Sequence, residues 1–232
     1  MQRSRLESSS PTLPRSAIFL ILGVLVVLYF VWKPPFVVRP LHPATANASG
    51  SASAVTTEPG AAAVDKIWTS KVVPAFLNQS VPAGELLAAL ARSSDEAGAK
   101  YGRREANNPF NYLIKGTGQV TAVNTESRAG TLTVIPTDAP NGQAVQLQIG
   151  PVVLGTAVRD ATGLVSFNQF VNQLDYAAAS KEMNARAIHD ALDNRDPKSF
   201  AGKQIRFFGA FTYDPHAPNS IRITPVKIEV VN

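Results

Sequence analysis

The hydrophobic positions change their spacing repeatedly along the chain. From Ala17 to Trp32 they form an uninterrupted apolar run of 16 residues. No polar face breaks it at the 3.6-residue period, so it does not read as an amphipathic helix of a soluble core. As a helix it spans about 24 Å, slightly short of a ~30 Å hydrocarbon core. Arg15 and Lys33 bracket the run and can close the gap by snorkelling. Tyr29 and Trp32 stand where an interfacial aromatic belt lies. The expectation is a single transmembrane helix, with residues 1–33 as a cytoplasmic N-terminus and anchor. A cleaved signal peptide is the rival. Lys33-Pro34-Pro35 follow the run where a small-residue cleavage site belongs, and Ala44-Thr45-Ala46 fits that pattern but comes late.

Residues 34–64 are rich in Pro, Ala, Ser and Thr and have no period. They read as a flexible linker. Helical spacing begins after it. Asp65 can cap a helix carrying Ile67, Trp68, Val72 and Val73, which Pro74 would kink or end. A second helix starts near Pro82, with Leu86, Leu87 and Leu90 as its stripe. Ser93 and Glu96 resemble a capping box for a third. Residues 65–110 are thus expected to be a helical extension.

From Asn111 the period becomes two. Tyr112, Ile114, Gly116, Gly118, Val120 and Ala122 alternate with mostly polar neighbours. Leu132 and Val134, then Val145, Leu147 and Ile149, mark two more strands after turns at 126–130 and 138–142. An irregular stretch from Val152 to Asn172 follows, with a candidate strand around Leu164 to Phe167. Ala177 to Leu192 reads as a helix with Met183, Ala187 and Ala191 on one face. Ile205 to Tyr213 and Ile221 to Val231 are the last strands. Three strands, a helix and two strands is the order of an OB-type barrel, a five-stranded partly open Greek key. The expected fold is α+β: an OB-like barrel over 111–232, with the helical extension before it. A different α+β sandwich fits the same order.

Composition and charge refine the picture. With 45% hydrophobic and 17% charged residues, a wholly disordered chain is excluded. The net charge is +5, but residues 1–33 hold four Lys or Arg and one Glu. More than half of the charge therefore belongs to the anchor. It favours the N-terminus inside and the bulk of the chain in the periplasm, and it argues little for a nucleic-acid partner. These residues contain no cysteine. That excludes a disulfide framework, a thiolate zinc site, a cysteine nucleophile and a lipidated N-terminal cysteine.

Catalytic chemistry is hard to find. His42, His189 and His216 show no metal-ligand spacing, and no GxSxG elbow is present. Gly116-Thr117-Gly118 is too short for a dinucleotide fingerprint. No metal, no cofactor and no enzymatic activity are expected. Lys100 to Arg104 is a basic cluster flanked by Asp95, Glu96 and Glu105, which reads as a solvated helix end. The best candidate binding surface is a polar strip: Arg159, Asp160, Asn168, Asn172, Gln173 and Tyr176, interleaved with Phe167 and Phe170. Its amides suit hydroxyl groups and its rings suit apolar sugar faces or partner side chains. The same residues also suit a local ion pair and the satisfied backbone of a buried loop.

Several stretches together resemble a known family. They are Ile67-Trp68-Thr69-Ser70-Lys71 with Pro74, Asn111 to Gly116, Ser127 to Leu132, and Leu147 to Pro151. Gly155-Thr156-Ala157 with Arg159-Asp160, Phe167-Asn168 through Asn172-Gln173 to Tyr176, and Gly202-Lys203 to Gly209 complete the set. The chain resembles the DUF2291 family of bacterial predicted periplasmic lipoproteins. The resemblance implies an extracytoplasmic, membrane-tethered protein of unestablished activity, with a context of sugar ABC transporters. Many relatives look like lipoproteins; here the absent cysteine leaves the apolar helix Ala17 to Trp32 as the expected contact with the inner membrane. The expected role is a non-enzymatic accessory protein that binds a transporter component or a small solute. Alternatives are an oligosaccharide- or nucleic-acid-binding OB module, and a hydrolase with a spatially assembled site.

Overall fold

A computed structural model describes Tyr29 and residues 59–231 of the chain. Apart from Tyr29, the expected transmembrane helix lies outside the described residues, as does nearly all of the expected linker. Among those described, no helix is long and apolar enough to cross a membrane. The residues from Pro59 onward belong to one compact unit.

The helical part begins earlier than its spacing suggested. Helix α1 spans Pro59–Ile67, so Asp65 lies inside it rather than capping it. Asp65 instead forms an ion pair with Arg186. Proline at the start of α1 is tolerated because its missing N–H would be unpaired in a first turn anyway. Pro74 does not end the helical run. A π turn, Trp68–Val72, precedes helix α2, Val73–Gln79. The Val73 N–H reaches back five residues to the Trp68 carbonyl. The wider turn accommodates a proline that has no N–H to give.

Helix α3 spans Ala83–Arg92, with Leu86, Leu87 and Leu90 buried as expected. Helix α4 spans Ser94–Tyr101, and the Ser93 hydroxyl accepts the Glu96 N–H at 3.3 Å. Two short strands flank α3 and α4: β1, Val81–Pro82, and β2, Gly102–Arg103.

Strand β3, Asn111–Asn124, organises the barrel. One edge pairs antiparallel with β6, Gln204–Thr212, along the nine pairs from Asn111–Thr212 to Gln119–Gln204. The other edge is shared. Its first part takes β1 and β2; its second part takes β4, Thr131–Pro136. A register shift between Val120 and Ala122 reverses which face each side chain joins. Ala122, expected on the inner face, is therefore exposed, and Val123 packs against the core instead.

Strand β4 pairs with β5, Val145–Gln148, and β5 runs parallel to β7, Arg222–Val230. The antiparallel β6–β7 pair closes the ring. The closed order β3-β4-β5-β7-β6 is that of an OB barrel, as the element order predicted.

Two cores use the two faces of this sheet. The barrel interior joins Tyr112, Ile114, Leu132, Phe207 and Phe211 to the α3 leucines. The outer face of β3, β6 and β7 offers Leu113, Ala210 and Val226. On it sit Val64, Trp68 and Phe76 from the N-terminal helices and Met183 and Ala187 from helix α6, Gln173–Leu192. The irregular stretch holds one helix that the sequence did not announce, α5, Ala157–Thr162. The candidate strand near Leu164 is absent; Phe167–Gln169 is a 3₁₀ turn. Helix α6 begins at Gln173 rather than Ala177, because the Asn172 side chain accepts the Asp175 N–H at 2.9 Å and caps it.

Candidate functional site

Helix α5 sets the geometry of the predicted strip. The Thr156 hydroxyl donates to Asp160 Oδ2 at 2.6 Å, and Arg159 Nε donates to Asp160 Oδ1 at 2.7 Å. Arg159 is buried, at 9% exposure. Its guanidinium lies 3.7 Å from the Tyr176 ring centroid and donates to the Tyr176 carbonyl at 3.4 Å. A cation over a desolvated ring is favourable, and the bond to Asp160 offsets the cost of burying the charge. Burial raises the Tyr176 phenol above its ordinary pKa, while Arg159 opposes the shift. Phe167 and Phe170 pack on the same ring at 5.6 and 5.5 Å between centroids.

The helix ends at Gly163, whose φ of +61° is left-handed. A Cβ there would collide with the Arg103 side chain. This close approach brings Arg103 beside Arg159, Asp160 and Tyr176 around a small cleft of about 210 Å³.

Arg159, Asp160 and Tyr176 therefore meet. Asn168, Asn172 and Gln173 do not join them: none lines either cleft beside Arg159. Asn168 and Gln173 are exposed, and Asn172 is used up by its cap, its Nδ2 donating to Asp175 Oδ2 at 3.0 Å. Gln169 likewise closes its own turn by accepting the Ser166 N–H at 3.3 Å.

A larger cleft, about 610 Å³, lies on the other side of Arg159. One wall is the loop from Gly150 to Thr156; the other is α6, through Ala177, Ser180, Lys181, Asn184 and Ile188. Gln148 holds the loop. Its Oε1 accepts the Leu154 N–H at 2.8 Å, and its Nε2 donates to the Leu154 carbonyl at 3.1 Å and to Thr224 Oγ1 at 2.9 Å. A buried side chain thus stands in for a strand partner. Across the cleft, Asn184 Nδ2 donates to the Gly155 carbonyl at 2.9 Å. Asn184 Oδ1 is buried and has no partner among the described residues. An orphaned acceptor of this kind costs roughly 1–3 kcal/mol. Lys181 makes no ion pair among the described residues. No aromatic ring lines this cleft.

Gln148, Ser180, Lys181 and Asn184 were missed as site residues. One signal was available for two of them. Ser180 and Asn184 are four apart on α6, beside the buried stripe of Met183 and Ala187, and both are at least nine-tenths buried.

Other chemistry is sparse. His189 pairs with the adjacent Asp190 at 3.2 Å on an exposed face of α6, and Asp190 accepts the Trp68 indole N–H at 2.7 Å. His216 lines a shallow cleft with Gln146 and Ser220 that no carboxylate lines. Among the described residues no group of three His, Cys, Asp or Glu could hold a metal ion.

Comparison with known proteins fits this architecture. The profile of the family described as predicted periplasmic lipoprotein (DUF2291) matches residues 26–229. The chain belongs to the DUF2291 family. The family description makes this member extracytoplasmic. Its sequence carries no cysteine, so the acylated cysteine of a lipoprotein has no counterpart in these residues. No curated protein matches the chain. Among solved structures, an OB-fold protein from Thermotoga maritima MSB8 is similar, with a TM-score of 0.58 at 16% identity. The match covers 74% of this chain and 98% of the other. At that identity the similarity establishes the fold alone.

Proposed function

We propose that this DUF2291 protein is a non-enzymatic accessory protein of the periplasmic face of the inner membrane, anchored by Ala17 to Trp32. It binds a small polar solute in the cleft between the Gly150–Thr156 loop and α6, in the service of an uptake system such as a sugar ABC transporter. The observation that carries the reading is the orphaned Asn184 Oδ1 at the edge of a cleft whose loop is held from behind by Gln148. A donor from a ligand would relieve that acceptor after a small shift of the Gly155 loop. Lys181 adds a cation, and the rest of the lining is largely aliphatic.

The OB-module alternative gains no support from the surface. Neither β4 nor β5 carries an aromatic side chain. Stacking platforms for bases or sugars are missing from the strands where OB folds bind them.

Thermal unfolding of the full chain against a panel of monosaccharides, polyols and amino acids tests the proposal. A ligand at 100 times its Kd stabilises by about 2.7 kcal/mol, a shift of several degrees. That shift is expected to vanish in Ala177→Trp, which fills the cleft from its exposed rim. No shift with any solute, together with no transporter component recovered with the protein from membranes, overturns it.

A further inference from the structure

The turn between α5 and α6 exposes large apolar side chains where a soluble surface would hide them. Val171 is 94% exposed, Leu174 81% and Phe167 46%. The aromatic cluster on Tyr176 holds this prong in place from behind. The prong's own sequence carries almost no charge, and the cleft behind it mixes Arg103, Arg104 and Arg159 with Glu105 and Asp160. From Leu164 to Ala178 the only charged residue is Asp175, and none occurs from Pro59 to Val64.

The prong lies where the chain coming from the apolar run arrives. Gly60 packs so closely on the first turns of α6 that a Cβ would collide with the Asp175 carbonyl and the Ala179 amide. Leu174 and Val171 are one and four residues from that contact. Residues 34–58 separate the apolar run from Pro59. Even fully extended, these 25 residues reach no more than ~90 Å. A domain tethered to the bilayer meets it at raised effective concentration, and a few apolar side chains then suffice.

We propose that Phe167, Val171 and Leu174 form a docking prong that inserts into the outer leaflet of the membrane. The proposal rests on the anchor reading above. Insertion turns the Tyr176 end of the domain toward the lipid. It needs no anionic headgroup, because the three arginines at that end, Arg103, Arg104 and Arg159, are balanced by Glu105, Asp160 and Asp175.

The absence of cysteine makes a clean experiment. Val171→Cys, Leu174→Cys and Lys203→Cys each provide one attachment site for an environment-sensitive fluorophore. Lys203 is exposed at the opposite end of β6 from the Asn111–Thr212 pair, and Asn111 borders the Tyr176 cleft. The full chain is reconstituted in phosphatidylcholine vesicles, with and without phosphatidylglycerol. Labels at positions 171 and 174 are expected to shift to the blue and to be quenched by bilayer nitroxides several-fold more than the label at 203. The effect is expected to be equal in both lipids and insensitive to salt. Equal quenching at all three positions, with the chain retained through an alkaline wash, overturns the docking alone. Release by the wash overturns the anchor and the docking with it. A shift that appears only when other membrane proteins are present overturns lipid docking and assigns the prong to a protein partner.

Discussion

The Tyr112 hydroxyl is buried in the barrel interior with no hydrogen-bond partner among the described residues. The ring packs well, stacking on Phe211 at 5.3 Å and meeting Tyr213 edge-on at 6.5 Å. The oxygen alone is costly. Burial pushes its pKa up to about 12, with Tyr213 and Asp95 adding to the shift. The unfolded chain holds this phenol at its ordinary value of about 10. Between pH 10 and 12 the unfolded state therefore releases a proton that the folded state retains, and stability falls as the pH rises. Tyr112→Phe keeps the ring and removes the orphan. It is expected to be more stable by about 1 kcal/mol at pH 7. It is also expected to lose less stability above pH 10 than the parent. Urea unfolding of both proteins at pH 7 and pH 10.5 checks both statements. The same scale decides the candidate strip. Arg159, Asp160 and Tyr176 could be read from residue type, but whether an amide faces solvent, a cap or a ligand depends on backbone direction. Asn172 caps and Asn184 waits for a donor, and their side chains are chemically identical.

Element positions were legible where one periodicity held over a whole segment. The α3 leucines, the alternation of β4 and β5 and the stripe of α6 all announced themselves. The failures share a cause. The π turn before Pro74, the shift at Val120–Ala122 and the start of α6 at Gln173 are each settled by local hydrogen bonds that interrupt a period. Helix α5 is too short to show a period, and its five buried residues include Arg159 and Thr162. The loop wall of the larger cleft was invisible for a further reason. It depends on Gln148, one of two glutamines in a four-residue strand, reaching Leu154 and Thr224. Gln148→Leu keeps the bulk and removes three hydrogen bonds, leaving both polar groups of Leu154 unpaired. A loss of about 2 kcal/mol is expected, with faster amide exchange confined to Gly150–Thr156. Hydrogen-exchange mass spectrometry distinguishes this outcome from general loosening. Unchanged exchange in the loop would mean that its position does not depend on Gln148.

At the scale of the whole chain, the proposed anchor poses one question: which side of the membrane the barrel would face. The charge is unevenly placed: Arg3, Arg5 and Arg15 precede the apolar run, while Lys33 and Arg39 follow it closely. Basic residues resist translocation, so the proposed anchor is expected to keep its more basic flank in the cytoplasm. The bias is small, and it should be easy to reverse. The cysteine-free background again permits single probes. In spheroplasts, Lys203→Cys is expected to react with a membrane-impermeant maleimide without permeabilisation. Gln2→Cys is expected to react only after the membrane is opened. Replacing Arg3 and Arg5 with Glu leaves one basic residue before the run and two after it, which reverses the bias. A fraction of the chains is then expected to protect the position-203 label. Equal accessibility of positions 2 and 203 in intact spheroplasts would rule out a spanning anchor. A protected position 203 in the parent chain would invert the topology and remove the periplasmic cleft with it.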